Sequence, residues 1–222
     1  MPMELIEQLR ASFERNANRT NAVAMCAYMK DLYTYFGIKS ELRKELAKPI
    51  INEIRNEKSV NWDFVFQCFE QEEREFQYVA LDYLRKSHRK LLPEHLSELK
   101  SLILSKSWWD TVDAIATEVG VLVKKDPTIK EVMKTWANHD NMWIRRVSMI
   151  HQLKFKDKVD TALLSYCIES NLGSKEFFIN KAIGWSLRSY SQVNPHWVID
   201  FANTHELAPL SRKEALRKIK VG

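Results

Sequence analysis

Residues 106–113 read KSWWDTVD and bring together Trp108, Trp109, Asp110 and Asp113 in a chain of net charge +5. A carboxylate attracts developing positive charge, and an electron-rich indole face does the same through its quadrupole. Packing and capping are the ordinary duties of the same residue types, so the spacing has to separate the roles. On a helix, residues four apart stand one above the other, which makes Trp109 and Asp113 neighbours. They fall on the border of the apolar stripe Val112, Ile115, Val119 and Leu122, with Gly120 two turns further along the same edge. Trp108 falls in the middle of that stripe and is expected in the core. Ser107 is expected to cap the helix, and Asp110, three residues later, suits its positive end, which gives that acid a structural role. A border acid on a helix is ordinarily solvated and a border tryptophan ordinarily half-packed, so Trp109 and Asp113 need support from elsewhere.

Two further helices supply it. In NMWIRRVSMIHQL the stripe runs through Trp143, Val147, Ile150 and Leu153; Arg145 points away, and Arg146 lies on the edge, expected to have a packed stem and an exposed guanidinium. In SKEFFINKAIGWSLRSY the stripe is Phe178, Ile179, Ala182, Ile183 and Leu187, and Trp185 sits on its margin between Lys181 and Arg188. An aromatic face flanked by cations suits a sugar-phosphate strand, the ring for bases or sugars and the cations for phosphates. Each helix alone reads as amphipathic packing; together they occupy equivalent places in consecutive units and can line one side of an array.

The elements that must hold these residues are helices. Helix-period spacing predicts them near 3–16, 21–35, 40–56, 60–70, 73–88, 93–105, 108–124, 128–137, 141–153, 157–170, 175–191, 195–204 and 211–219, and no segment alternates as a strand. Five glycines and six prolines leave little material for hairpin turns or Gly-rich phosphate loops, which argues against a nucleotide-binding α/β fold. Trp109, Trp143 and Phe177 recur every 34 residues, each near a helix start, with Pro93, Pro127 and Pro195 near the starts between them. The tetratricopeptide pattern is missing. The expectation is therefore all-α: a curved α-solenoid of HEAT-like antiparallel helix pairs with a concave basic groove, one domain over residues 1–222. Basic clusters at RKSHRK (85–90), at Arg145, Arg146, Lys154, Lys156 and Lys158, and in the C-terminal SRKEALRKIK are compatible with a polyanionic partner or with solvated helix faces. Cys26, Cys68 and Cys167 are far apart and without a C-x-x-C pair, so they read as reduced, mostly buried thiols. The six histidines form no ligand spacing; no metal and no cofactor is called for. The N-terminus does not read as a signal peptide and no run is long enough to span a membrane, so a cytoplasmic protein is expected.

Several stretches, in order along nearly the whole chain, are similar to one family: YMKDLYTYFGI (28–38), REFQYVALDYL (74–84), KSWWDTVD, NMWIRRVSMIHQLKFK, SKEFFINKAIGWSLRSY and LAPLSRKEALRKIK. The chain resembles the AlkD family of DNA alkylation repair enzymes, which are HEAT-like-repeat DNA glycosylases. The resemblance implies excision of cationic N3- or N7-alkylated purines, such as 3-methyladenine and 7-methylguanine, from double-stranded DNA; a monomer is expected. It carries the family's functional positions onto Trp109, Asp113, Arg146 and Trp185, and matches a tyrosine near the start of its second helix to Tyr28. Lys39 stands where close relatives are expected to have glutamine.

A purine that already carries positive charge leaves without a general acid, so what remains is to stabilise an oxocarbenium-like sugar. The expected roles are Asp113, Trp109 and Trp185 at the sugar, Arg146 on a phosphate, and Tyr28, Lys39, Lys181 and Arg188 along the DNA. The rival readings are a non-catalytic DNA binder of the same architecture and a helical-repeat scaffold whose border aromatics anchor another protein.

Overall fold

With so few glycines in the chain, several helices are opened by asparagine, aspartate or proline. The computed structural model of the chain describes residues 2–219. Its helices fall into two compact units, one ending at Leu91 and the other starting at Leu92. The first holds α1 (Pro2–Arg15), α2 (Arg19–Tyr28), α3 (Ser40–Ile54), α4 (Trp62–Glu70) and α5 (Arg74–Lys86). The second holds α6 (Leu96–Leu104), α7 (Trp109–Lys125), α8 (Ile129–Ala137), α9 (Met142–Ile150), α10 (Thr161–Glu169), α11 (Phe177–Tyr190), α12 (Pro195–Thr204) and α13 (Pro209–Leu216). Each helix expected from spacing is present, and among the described residues the sole strand-like feature is an isolated bridge between Thr34 and Glu73. Side-chain oxygens of Asn18, Asn61, Asn141, Asp160 and Asn194 accept the first free backbone N–H groups of α2, α4, α9, α10 and α12.

Two local expectations fail for identifiable reasons. The helix expected over 21–35 ends at Tyr28, because Lys30 and Asp31 turn left-handed at φ 60° and 55° and the aromatic run that follows is extended. That extended segment is fastened by the buried Glu75 carboxylate, which accepts from the backbone N–H of Phe36, Gly37 and Ile38 at 3.2, 2.9 and 3.1 Å. Ser107 does not cap α7: its hydroxyl donates to the Ile103 carbonyl at 2.6 Å, finishing α6, and Trp108 takes the cap position in extended conformation. Asp110 keeps its place in the first turn of α7.

In the second unit α7, α9, α11 and α13 pack each on the next, while α8 lies against α9 and α10. The stripe of Val112, Ile115, Val119 and Leu122 is wholly buried, as are Ile144, Val147, Ile179, Ala182 and Leu187 on the following two helices. Two glycines set how closely this row can stack. A Cβ on Gly120 of α7 would lie 2.3 Å from the His151 carbonyl at the end of α9, and one on Gly184 of α11 would lie 2.5 Å from Cβ of Glu214 and 2.9 Å from the Ser211 carbonyl on α13. Gly184→Ala is therefore expected to lift α13 off α11 and to cost about 1–3 kcal/mol of stability as overpacking. Thermal unfolding measures it, and a variant as stable as wild type would show that the two helices do not need this approach.

His151 is itself buried among these helices, with Nδ1 2.8 Å from the Ser148 carbonyl oxygen. Burial lowers its pKa to about 4 from the ordinary 6.5. Its neutral form is the one the fold accepts, so its contribution is present above 6.5 and is lost as pH falls through about 4, amounting to about 3 kcal/mol. Wild type is expected to lose that much more stability than His151→Gln across the same interval. Parallel denaturation curves for the two proteins would contradict it.

Candidate active site

Asp113 lies on the second turn of α7, one turn after Trp109, which opens the helix; both are half-buried. Across from them, Arg146 of α9 clasps the carboxylate with two parallel bonds, Nε to one oxygen at 2.7 Å and Nη2 to the other at 2.8 Å. The remaining guanidinium nitrogen, Nη1, donates to the Phe178 carbonyl at 2.6 Å, in the first turn of α11. One arginine thus ties three successive members of the helix row together. Its partners lie 33 residues before it and 32 after, close to the 34-residue recurrence of Trp109, Trp143 and Phe177, so the site is built from contacts between adjacent repeats.

The expectation of an exposed Arg146 guanidinium is corrected here. The residue is 4 % exposed, because α7 and α11 close over it from both sides and all three of its nitrogens already donate. Asp113 keeps a partly open face, its side chain 16 % exposed against 5 % for that of Arg146. Burial pushes the Asp113 carboxyl above the ordinary aspartate range, while the guanidinium, by hydrogen bond and by charge, pulls part of that rise back. Forked donation fixes the plane of the carboxylate as well as its charge.

Aromatic rings surround the pair. The Arg146 guanidinium carbon lies 6.0 Å from the Trp185 ring centroid and 5.9 Å from that of Phe178. Phe178 meets Trp108 edge-on and Trp143 at a tilt, with centroids 5.0 Å apart in each case, and Trp108 lies 5.7 Å from Trp143. Trp108 is therefore half-buried in a ring cluster beside the site rather than in the middle of the core stripe. Spacing had placed Phe178 on the stripe of its helix without its carbonyl contact, which no side-chain pattern encodes.

Lys181 and Arg188 flank Trp185 as expected, yet both are paired. Glu214 of α13 accepts from Lys181 at 2.9 Å with one oxygen and from Arg188 with the other. Those two cations hold its carboxyl below the ordinary glutamate range. Glu214 was missed in the sequence; the signal is Gly184, which leaves the gap that its Cβ approaches. In the other unit, Tyr28 is the last residue of α2, not one near a helix start, and is 71 % exposed. Lys39 is exposed at the cap position of α3. Among the described residues, no three His, Cys, Asp or Glu side chains gather so as to hold a metal ion, and no helix is long and apolar enough to cross a membrane.

The fold and site define an all-helical repeat protein that presents an arginine-clasped carboxylate among indole and phenyl rings. The chain belongs to the DNA alkylation repair enzyme family, whose model matches residues 9–219. A solved structure described as a predicted DNA alkylation repair enzyme from Enterococcus faecalis is similar at 32% identity and a TM-score of 0.86, over 93% of this chain and 98% of that one. No curated protein matches the chain.

Proposed function

We infer that the protein is a DNA glycosylase that hydrolyses the N-glycosidic bond of cationic N3- and N7-alkylated purines in double-stranded DNA. The observation that carries this reading is the Asp113 carboxylate, partly open and held in a fixed plane by Arg146, whose guanidinium lies 6.0 Å from the Trp185 ring centroid. The leaving purine takes the bonding electron pair and departs neutral, because its alkylation already supplied the positive charge. The sugar becomes oxocarbenium-like at that moment. Asp113 stabilises it electrostatically and orients the water that adds to the anomeric carbon and releases its proton. Trp109 and Trp185 flank the sugar and add cation–π attraction of about 0.5–2 kcal/mol per ring, depending on desolvation.

Arg146, expected on a phosphate, is reassigned: its burial and its bonds to Asp113 and Phe178 support a positioning role for the carboxylate. Tyr28, Lys39, Lys181 and Arg188 remain the proposed DNA contacts, and the family match across both compact units supports treating residues 1–222 as one functional domain. A monomer in the cytoplasm fits the same reading. The test is release of 7-methylguanine from methylated duplex DNA, with a duplex containing a neutral lesion as the contrast. Release of the cationic base, with the neutral one left in place, is expected. Binding without release would leave a non-catalytic DNA binder, and neither binding nor release would leave a protein scaffold.

A further inference from the structure

The C-terminal basic run SRKEALRKIK divides by partner. Arg212 donates to the Ala202 carbonyl and to Asn203 Oδ1 at the end of α12, and Glu214 closes on Lys181 and Arg188. The next two cations, Arg217 and Lys218, are exposed and line a cleft of about 440 Å³ together with Trp185, Arg188, Ser189 and Gln192. On α11 and the turn that ends it, Trp185, Arg188, Ser189 and Gln192 stand at i, i+3, i+4 and i+7, one continuous helix face. Trp185 is both a wall of this cleft and one of the two rings beside the Arg146 guanidinium, so the cleft begins where the candidate active site ends.

We propose that this cleft holds the phosphodiester backbone of duplex DNA beyond the damaged nucleotide, with Arg217 and Lys218 as its phosphate contacts. The assignment rests on the DNA-directed reading of the active site and extends it to residues outside that site. Three lines converge on a polyanion. Among the described residues the lining carries Arg188, Arg217 and Lys218 and no carboxylate, and the oxygens of Glu214, which pairs with Arg188, are already engaged by Lys181 and Arg188. Gln192 supplies a neutral amide donor beside the cations, which suits phosphate oxygens. From Trp185 to Gln192 the helix advances roughly 10 Å, at 1.5 Å per residue. Laid along the duplex axis, that span matches about three nucleotide steps at 3.4 Å of rise each. A sugar beside Trp185 would thus bring a phosphate a few steps along the same strand to the far end of the cleft.

The experiment measures binding of duplex DNA carrying one 7-methylguanine across a range of salt concentrations, for wild type, Arg217→Ala/Lys218→Ala and a charge-matched control, Lys134→Ala/Lys213→Ala. Two lost phosphate contacts should make the slope of log K against log salt shallower by about 1.8, at about 0.9 per contact. The control should keep the wild-type slope. Equal slopes for wild type and the cleft variant would overturn the proposal, as would an equal flattening in the control, which would mean net charge alone. Circular dichroism verifies that both variants are folded. Base release by wild type is followed in the same series: a flattened slope with no release would leave the cleft assignment standing and remove the glycosylase reading. Release with an unaltered slope would do the reverse.

Discussion

Asp113→Asn is expected to slow release of 7-methylguanine by about 10²–10³-fold, the typical loss when one preorganised electrostatic group is removed from a transition state. Amide and carboxylate have nearly the same shape, so the ring cluster has no reason to move. What changes is the charge facing the sugar. Because the Asp113 side chain is 16 % exposed rather than fully buried, its anion is screened less than a surface acid yet stays within reach of substrate. The amide also presents a donor where Arg146 needs an acceptor, and the guanidinium, 5 % exposed, is left half-paired, so some stability should be lost as well. Single-turnover release at saturating enzyme isolates the chemical step, and gel-shift binding of the same duplex shows that substrate is still engaged. Asp110→Asn makes the same charge change three residues away, in the first turn of α7, and should retain release while losing some helix-terminal stabilisation. Wild-type rates in the Asp113 variant would remove the carboxylate from the mechanism.

The parts of this site legible in the sequence are those that depend on one helix. Residues Trp109 and Asp113 sit on the border of a buried stripe because 3.6-residue periodicity puts them there, and Val112, Ile115, Val119 and Leu122 inside that stripe are buried as expected. What one helix cannot report is how near its neighbour comes. A helical wheel gives Arg146 an edge position, but whether the edge faces water depends on α7 and α11. Gly120, on the same edge of α7 as Trp109 and Asp113, was visible as a residue and unreadable as a distance; its missing Cβ admits the carbonyl of His151 and draws the two helices together. Gly184 does the same between Lys181 and Arg188, where it admits Glu214. In both places a border cation is paired with an acid from an adjacent repeat, which the wheel of one helix does not show. The Phe178 carbonyl escaped for a different reason: backbone acceptors in the first turn of a helix are chosen by whichever donor packs there, and nothing in residue type marks them.

Arg146→Ala is expected to cost about 3–5 kcal/mol of stability, the loss typical of a buried ion pair deprived of one partner. Three bonds vanish together, and the Asp113 carboxylate and the Phe178 carbonyl must find water in a place built to exclude it. A purely structural arginine would do only this. A positioning role adds a signature in pH. Burial already raises the Asp113 carboxyl and Arg146 opposes that rise, so removing the guanidinium leaves burial unopposed and the carboxyl takes up its proton at a higher pH than in wild type. Because catalysis needs the anion, base release should fail on the acid side at a higher pH in the variant. Stability moves with the opposite sign: a carboxyl whose folded pKa lies above its unfolded one favours the fold when protonated, and that contribution is lost as pH rises through the folded pKa. The variant should therefore be relatively more stable in acid, where it is least active. Arg146→Lys keeps the charge but loses the fork, and its acid limb should lie between the other two. The salt dependence of DNA binding should stay near wild type, since the buried guanidinium offers phosphate little surface. A flattened salt slope with an unmoved acid limb would return Arg146 to the phosphate backbone and leave Asp113 to be held by something else.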